Sequence, residues 1–164
     1  KVLREVTSVE EAEILQDDLI ALQAWSDKWL LRFNLEKCHV LTLGHFENII
    51  HAHRYKLCNE ELEHVENEKD LGVTIDAELT FDEHINGKVN KANAIVGLIR
   101  RSFSYLDSTM FLKLFTSLAR PHLEYAQSVW SPHLKKHQNA LENVQILATK
   151  PVDGLHKLEY SERL

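Results

Sequence analysis

Between Ser8 and about Leu31 the apolar residues Leu15, Leu19, Leu22 and Trp29 recur at three- and four-residue steps or their sums, with acids on the other face. That is the period of an amphipathic helix, and Ser8 followed by Glu11 supplies an S-x-x-E capping box to start it. The pattern then changes. "CHVLTL", Cys38 to Leu43, is a run of β-branched and apolar residues ended by Gly44 and reads as a strand. "HRYKL" and "LEHV" flank the polar "CNEE" like the arms of a short hairpin, and "LGVTI", Leu71 to Ile75, is another strand. From Thr80 the helical period returns: "TFDE" is a second capping box, and Ile85, Val89, Ala92, Val96, Ile99 and Phe103 step along one face. Gly87 and Gly97 fall inside that helix, each at up to about 1 kcal/mol relative to alanine, which predicts a neighbour in close approach. A further helix begins near Asp107 or Ser108 and turns Phe111, Leu112, Phe115 and Leu118 toward a core. Pro121 ends or kinks it, because its ring clashes with the preceding turn and it has no N–H to give. "HLEYAQSVW" continues helically to Ser131-Pro132, where a last helix starts and passes through Leu134, Leu141, Val144 and Leu147.

These elements predict an α+β chain: an N-terminal helix with a small antiparallel sheet over residues 1–79, then an all-helical bundle over 80–164. A chain of 164 residues can bury one core, or one core plus a small satellite layer. With 44% hydrophobic and 27% charged residues it has the composition of a globular protein. No apolar run approaches the roughly twenty residues of a membrane span, so no membrane partner is expected. "KVLREVTSVEEAE" has neither the apolar segment nor the cleavage site of a secretory signal. An intracellular setting, nucleus or cytoplasm, is therefore the expectation. Cys38 and Cys58 stand twenty positions apart without a CxxC pattern, which points to reduced thiols.

The net charge of −6 conceals an asymmetry. Residues 1–80 carry 8 Lys+Arg against 17 Asp+Glu, a balance of −9, and residues 81–164 carry 11 against 8, a balance of +3. The asymmetry is compatible with a nucleic-acid contact confined to the second half, although +3 is far short of the basic patch that would make the case alone. There Lys88, Lys91, Arg100 and Arg101 lie off the apolar stripe, and Arg120, Lys135, Lys136 and Lys150 follow on later helices. Such charges can track a phosphate backbone, although spacing alone favours a solvated helix surface.

Catalytic candidates are weaker. Asp17 and Asp18 are adjacent like the paired aspartates of two-metal sites, but consecutive residues on a helix diverge by about 100° and a solvated face is the plainer reading. His51-x-His53 and His133-x-x-x-His137 have spacings that two metal ligands use, yet no HExxH glutamate and no third ligand accompany them, so surface histidines are expected. Cys38 reads as a strand thiol. A G-x-S-x-G elbow, a phosphate loop and a dinucleotide fingerprint are absent, and no complete catalytic constellation is found.

Five stretches in order carry a resemblance: "LQDDLIALQAWSDKWLLRFNLEKCHVLTLG" (Leu15 to Gly44), "EKDLGVTID" (Glu68 to Asp76), "HINGKVNKANAIVGLIRRSF" (His84 to Phe103), "RPHLEYAQSVWSP" (Arg120 to Pro132), and "LENVQILATK" with "YSERL". Together they resemble the part of LINE-type (non-LTR) retrotransposon reverse transcriptases that follows the catalytic aspartate box. The resemblance implies that the first block is the end of the palm, with Asn34 and Lys37 as its Asn-x-x-Lys strand motif. It implies that Leu71, Gly72 and Val73 resemble the primer grip, and that the later helices are like the thumb. The implied partner is a template–primer duplex, RNA–DNA or DNA, held through its backbone by Lys88, Lys91, Arg100, Arg101, Arg120 and Lys150. Arg120 to His137 is then two thumb helices at a proline corner, with Tyr125 and Trp130 mostly core and Arg120 a phosphate or capping contact.

The family's catalytic aspartates do not occur in these residues. The resemblance thus implies no cofactor in this chain, although the parent enzymes use magnesium, and a holding role without chemistry of its own. Two features depart from the pattern. Ile146 and Leu147 stand where relatives carry two arginines, and "YSERL" comes before the further basic segment of relatives. They support as alternatives a non-catalytic helical module that binds a protein partner, or an inert truncated copy. Strands without their palm neighbours are expected to bring marginal stability or self-association.

Overall fold

The computed structural model describes residues 1–44, 53–103, 105–150, 152 and 159; His51 and "YSERL" lie outside these. Ser8 starts the first helix as its spacing predicts: its Oγ accepts from the Glu11 N–H, and α1 runs Val9–Trp29. Glu11 reaches one residue further back than a capping box requires. Its Oε2 accepts from the Thr7 hydroxyl at 2.7 Å and the Thr7 N–H at 2.5 Å, and these bonds hold its carboxyl below the usual carboxylate range. Leu30, in left-handed conformation, stops the helix. Trp29, expected on the buried stripe, is exposed, while Ala12 is buried and Leu15 and Leu19 pack beside it.

The expected sheet is three two-stranded ladders among the described residues. β1 (His39–Leu41) pairs in parallel with β4 (Glu63–Val65). β2 (Lys56–Leu57) and β3 (Glu60–Glu61) are antiparallel arms around Cys58 and Asn59, both at positive φ. Two left-handed central residues match the twist of the flanking strands, and asparagine tolerates that conformation. "LEHV" is therefore not the second arm: only Leu62, whose N–H donates to Tyr55 O at 2.9 Å, extends the hairpin. β5 (Asn67–Asp70) and β6 (Val73–Asp76) make the third pair. Leu71 and Gly72, expected as the start of a strand, are the turn between them.

Side-chain amides join α1 to β2. Gln16 donates from Nε2 to Lys56 O at 2.9 Å and accepts from Lys56 N–H at 2.8 Å, and Gln23 Oε1 accepts from Cys58 N–H at 3.0 Å. Seven residues apart, the two glutamines share a helix face, and they satisfy a strand edge that would otherwise be open. Beneath them Ala12, Tyr55, Leu57 and Leu62 form a small core, with Phe33, Leu35 and Val40 packed against it.

α2 spans Asp82–Ser102 and buries Ile85, Ala92, Val96 and Ile99 of its predicted stripe. Its N-cap residue is Phe81, which makes no side-chain cap bond. The Thr80 N–H and hydroxyl both donate to Asp76 Oδ1, at 2.9 and 3.2 Å, and Phe81 enters the helix in left-handed conformation. The close neighbours expected at the two glycines are not found either: a Cβ at Gly87 would meet nothing within 4 Å, and one at Gly97 only Arg101 Nη1 at 3.6 Å.

α3 (Ser108–Leu114) is capped by Asp107, whose Oδ1 accepts from Met110 N–H at 2.7 Å. One π turn, Phe115–Ala119, follows and leads into α4 (Arg120–Glu124). The wider turn sits immediately before Pro121, which has no N–H for the preceding helical carbonyl. The chain breaks later than the proline, at Tyr125 and left-handed Ala126, and resumes as α5 (Gln127–Trp130). The expectation that "HLEYAQSVW" is one continuous helix is thereby corrected. α6 (Lys135–Thr149) packs on α2. The core of these helices is Ala92, Val96, Phe111, Phe115, Ala119, Val144, Ala148 and Val152, with the Phe111 and Phe115 rings stacked at 5.7 Å.

The chain divides into two compact units, Lys1–Asp70 with Ile75–Thr80, and Leu71–Thr74 with Phe81–Leu164. No helix among the described residues is long and apolar enough to cross a membrane.

α6 is tied to α2 near both ends. Asp82 accepts from Lys136 Nζ and from His137 Nε2, each at 2.5 Å, and Arg100 Nη2 donates to Leu147 O. His137, expected on the surface, is 3% exposed. The bonds from Lys136 and then His137 hold the Asp82 carboxyl below its ordinary 3.8. A carboxyl lowered in the folded state stabilises above that ordinary value and loses its contribution as pH falls through the lower, folded one. Melts between about pH 5 and pH 3 should therefore show a steeper fall in Tm for the wild type than for Asp82→Asn; equal slopes would remove Asp82 from this role. Phe111→Ala should cost about 3–5 kcal/mol in urea unfolding, the range for truncating a buried phenylalanine.

Candidate nucleic-acid interface

The β5–β6 turn brings a backbone constraint and an exposed side chain together. Leu71 has φ +47° and Gly72 φ +84°, the pair of left-handed residues that a two-residue hairpin turn demands. Glycine takes this conformation freely; leucine does not. Leu71 is 85% exposed, whereas Val73 on the other side of the turn is buried.

The tip is fastened to the helices of its own unit by a ring of contacts. Tyr125 Oη donates to Leu71 O at 2.8 Å, and a Cβ at Gly72 would lie 3.5 Å from Tyr125 Cε1. The Thr74 N–H donates to His84 Nδ1 at 3.1 Å, so the proton of the neutral imidazole is on Nε2. The His84 ring lies 5.4 Å from that of Trp130, and Trp130 Nε1 donates to Tyr125 O at 2.7 Å. Trp130 is 1% exposed, as expected of a core residue; Tyr125, expected with it, is 52% exposed because its ring covers the hairpin tip. Lys88 Nζ stands 5.5 Å above that ring, within range of a cation–π contact.

The basic residues do not form one track. At about 100° per residue Lys91 lies roughly 60° from Lys88 around α2, Arg100 about 120° away on the other flank, and Arg101 near the side opposite the buried stripe. Lys88 and Lys91 are one turn apart and adjoin Tyr125 through Lys88. Arg100 is used by α6 through Leu147 O, and Arg120 Nε pairs with Glu124 Oε1 at 2.6 Å on its own helix. Lys136 is on Asp82, and Lys135 and Lys150 are exposed at opposite ends of α6. Thus Leu71, Gly72, Val73 and Lys88 come together, with Lys91 alongside, while Arg100, Arg101, Arg120 and Lys150 are elsewhere.

The first unit holds Asn34 and Lys37. They bracket a 3-10 turn, Leu35–Lys37, rather than a strand: Asn34 O accepts from Lys37 N–H at 3.1 Å and from the Cys38 thiol at 3.2 Å. Asp18 Oδ2 accepts from Arg4 at 2.7 and 3.1 Å, which commits it to an ion pair. His133 is exposed and His137 buried on Asp82, so the i, i+4 pair does not share a surface. Among the described residues no three His, Cys, Asp or Glu side chains gather as a metal site. Ile146 is half-buried and Leu147 is 52% exposed.

Sequence reasoning missed the parts of His84 and Tyr125. The signal for the turn was present in "DLGV", since Gly after a single residue between two polar and apolar arms suits a two-residue hairpin. Nothing in the sequence marks Tyr125 as its partner 54 positions away.

No family model matches the chain, and no solved structure matches it significantly. The RNA-directed DNA polymerase from mobile element jockey of Drosophila funebris is 30% identical over 154 residues, covering 89% of this chain and 16% of that protein. Its counterpart from Drosophila melanogaster is 26% identical over 153 residues, covering 85% of this chain and 15% of that protein. The chain spans about a sixth of the length of these curated relatives. Over most of its length it is therefore similar, as the five ordered stretches implied, to one segment of LINE-type (non-LTR) RNA-directed DNA polymerases.

Proposed function

We propose that this segment holds a template–primer duplex, RNA–DNA or DNA, for an RNA-directed DNA polymerase. Leu71, Gly72 and Val73 act as the primer grip, and the helices from Asp82 onward act as the thumb. The observation that carries the reading is the hairpin tip fastened by Tyr125 and His84 to the helix that bears Lys88 and Lys91. A duplex read by shape needs positive side chains on rigid elements close to an apolar contact, and this unit supplies both without base-reading groups. Chemistry is not assigned to this segment. Asp17 and Asp18 are consecutive on α1 and diverge by about 100°, so the magnesium ions that assist phosphoryl transfer in such polymerases are assigned to other carboxylates. Lys37 and Asn34, on the first unit, take the part of the palm motif. The exposed Leu147 supports a second reading, a protein partner on α6.

A labelled RNA–DNA hybrid titrated with the purified chain across a salt series tests the reading. Affinity should fall steeply with salt. Changing Lys88 and Lys91 together to glutamine should flatten the log–log slope by about two, roughly one for each phosphate contact. Arg100→Gln should instead lower Tm through the lost bond to Leu147 O and leave the slope nearly unchanged. A folded chain that does not bind hybrid at low salt would leave ancestry without retained function and turn attention to the α6 surface.

A further inference from the structure

Leu71 is held where leucine gains least. Its left-handed backbone brings the Cβ close to the following carbonyl oxygen, a crowding that glycine escapes, and its exposure means that burial does not compensate. Asparagine at this position would relieve the turn, because it tolerates the left-handed conformation that the first central residue takes here. A strained residue persists only where surrounding contacts over-determine it, and here those contacts are specific. The carbonyl of Leu71 itself accepts the Tyr125 hydroxyl, the Tyr125 ring lies beside the following Gly72, and Thr74 is fixed by His84.

Tyr125 can make this contact because of where it stands in the chain. It is the residue at which α4 ends, and the break at Tyr125 and Ala126 turns the backbone out of the helix. Its carbonyl is held by Trp130, the largest fully buried side chain among the described residues, so its backbone is anchored from the core side while its hydroxyl reaches the hairpin.

We propose that Tyr125 is a positioning residue: its hydroxyl fixes the strained Leu71-Gly72 tip to the helical unit, so that the exposed Leu71 side chain keeps one orientation toward the strand it contacts. The ligand in this inference rests on the duplex-holding reading; the fastening does not. Tyr125 touches the tip through the Leu71 carbonyl, and its contribution to binding passes through Leu71.

The full chain carries the test. Tyr125→Phe deletes only the hydroxyl. Hydrogen exchange at the amides of Leu71–Thr74 should quicken, and hybrid affinity should fall about tenfold, the scale of one hydrogen bond, with the salt slope unchanged because no charge is lost. In the Leu71→Ala background the same change should cost little further affinity, since the residue through which Tyr125 acts is gone. Leu71→Asn keeps the inference testable if Tyr125→Phe folds poorly: it should raise Tm by relieving the turn and yet weaken hybrid binding. Unchanged exchange at the tip in Tyr125→Phe overturns the fastening. Fully additive losses in the double variant, or Leu71→Asn binding as well as the wild type, overturn the positioning role. A wild type that shows Tyr125-dependent exchange but no hybrid binding overturns the duplex-holding reading and leaves the fastening in place.

Discussion

The helical unit depends on close packing against one face of α2. Ile85, Ala92, Val96 and Ile99 supply that face, and α6 and the helices around Pro121 are laid against it. The three alanines at the contacts, Ala92, Ala119 and Ala148, are fully buried, and their small volume lets helix backbones approach while Phe111, Phe115 and Val144 fill the spaces between. The polar ties add direction. Asp82 at the start of α2 takes the first turn of α6, and Arg100 near its end takes a carbonyl from the last turns of α6, so the two helices run in the same sense. Dispersion and burial set the distance between them, and hydrogen bonds set their order.

Against this frame, the parts legible in the sequence were those whose signal is a repeated period. The α2 stripe is one: every fourth or third residue is apolar, and the helix's buried apolar residues are drawn from it, with His84 buried beside them. The parts that were not legible have no period to read. β5 is "NEKD", four polar residues that pair through backbone alone. β1 and β4 are three residues each, too short for alternation, and their parallel pairing depends on the intervening β2–β3 hairpin. The same S/T-x-x-E pattern caps a helix at Ser8, whereas at the second site the N-cap falls one residue later, on Phe81, and the Thr80 N–H and hydroxyl turn back to Asp76. A local rule holds until a stronger local acceptor competes with it.

The candidate site shows a different limit. Spacing correctly kept Lys88, Lys91, Arg100 and Arg101 off the buried stripe, but being off a stripe leaves most of the helix circumference open. Only the packing of neighbours separates Lys88, over the Tyr125 ring, from Arg100, spent on α6. The five ordered stretches include both the turn and the helices, yet the bond that joins them, from Tyr125 to Leu71, connects two stretches that a linear comparison treats independently. Similarity over most of the chain at 26–30% identity preserves the order of such stretches and says little about which side chains meet.

The π turn at Phe115–Ala119 fixes the rotational phase of α4 up to its end at Tyr125. A π turn holds one residue more than an α turn, so it advances the following helix by about 100° relative to an uninterrupted one. With that extra residue Leu123 faces the core and Tyr125 arrives at the hairpin tip. Were the segment one residue shorter and regularly α-helical, α4 would emerge with a different face inward and Tyr125 would no longer be aimed at Leu71. The contact between the turn and the helices is thus indexed by a single residue of chain length upstream of it, a dependence on counting rather than on the chemistry of any one side chain.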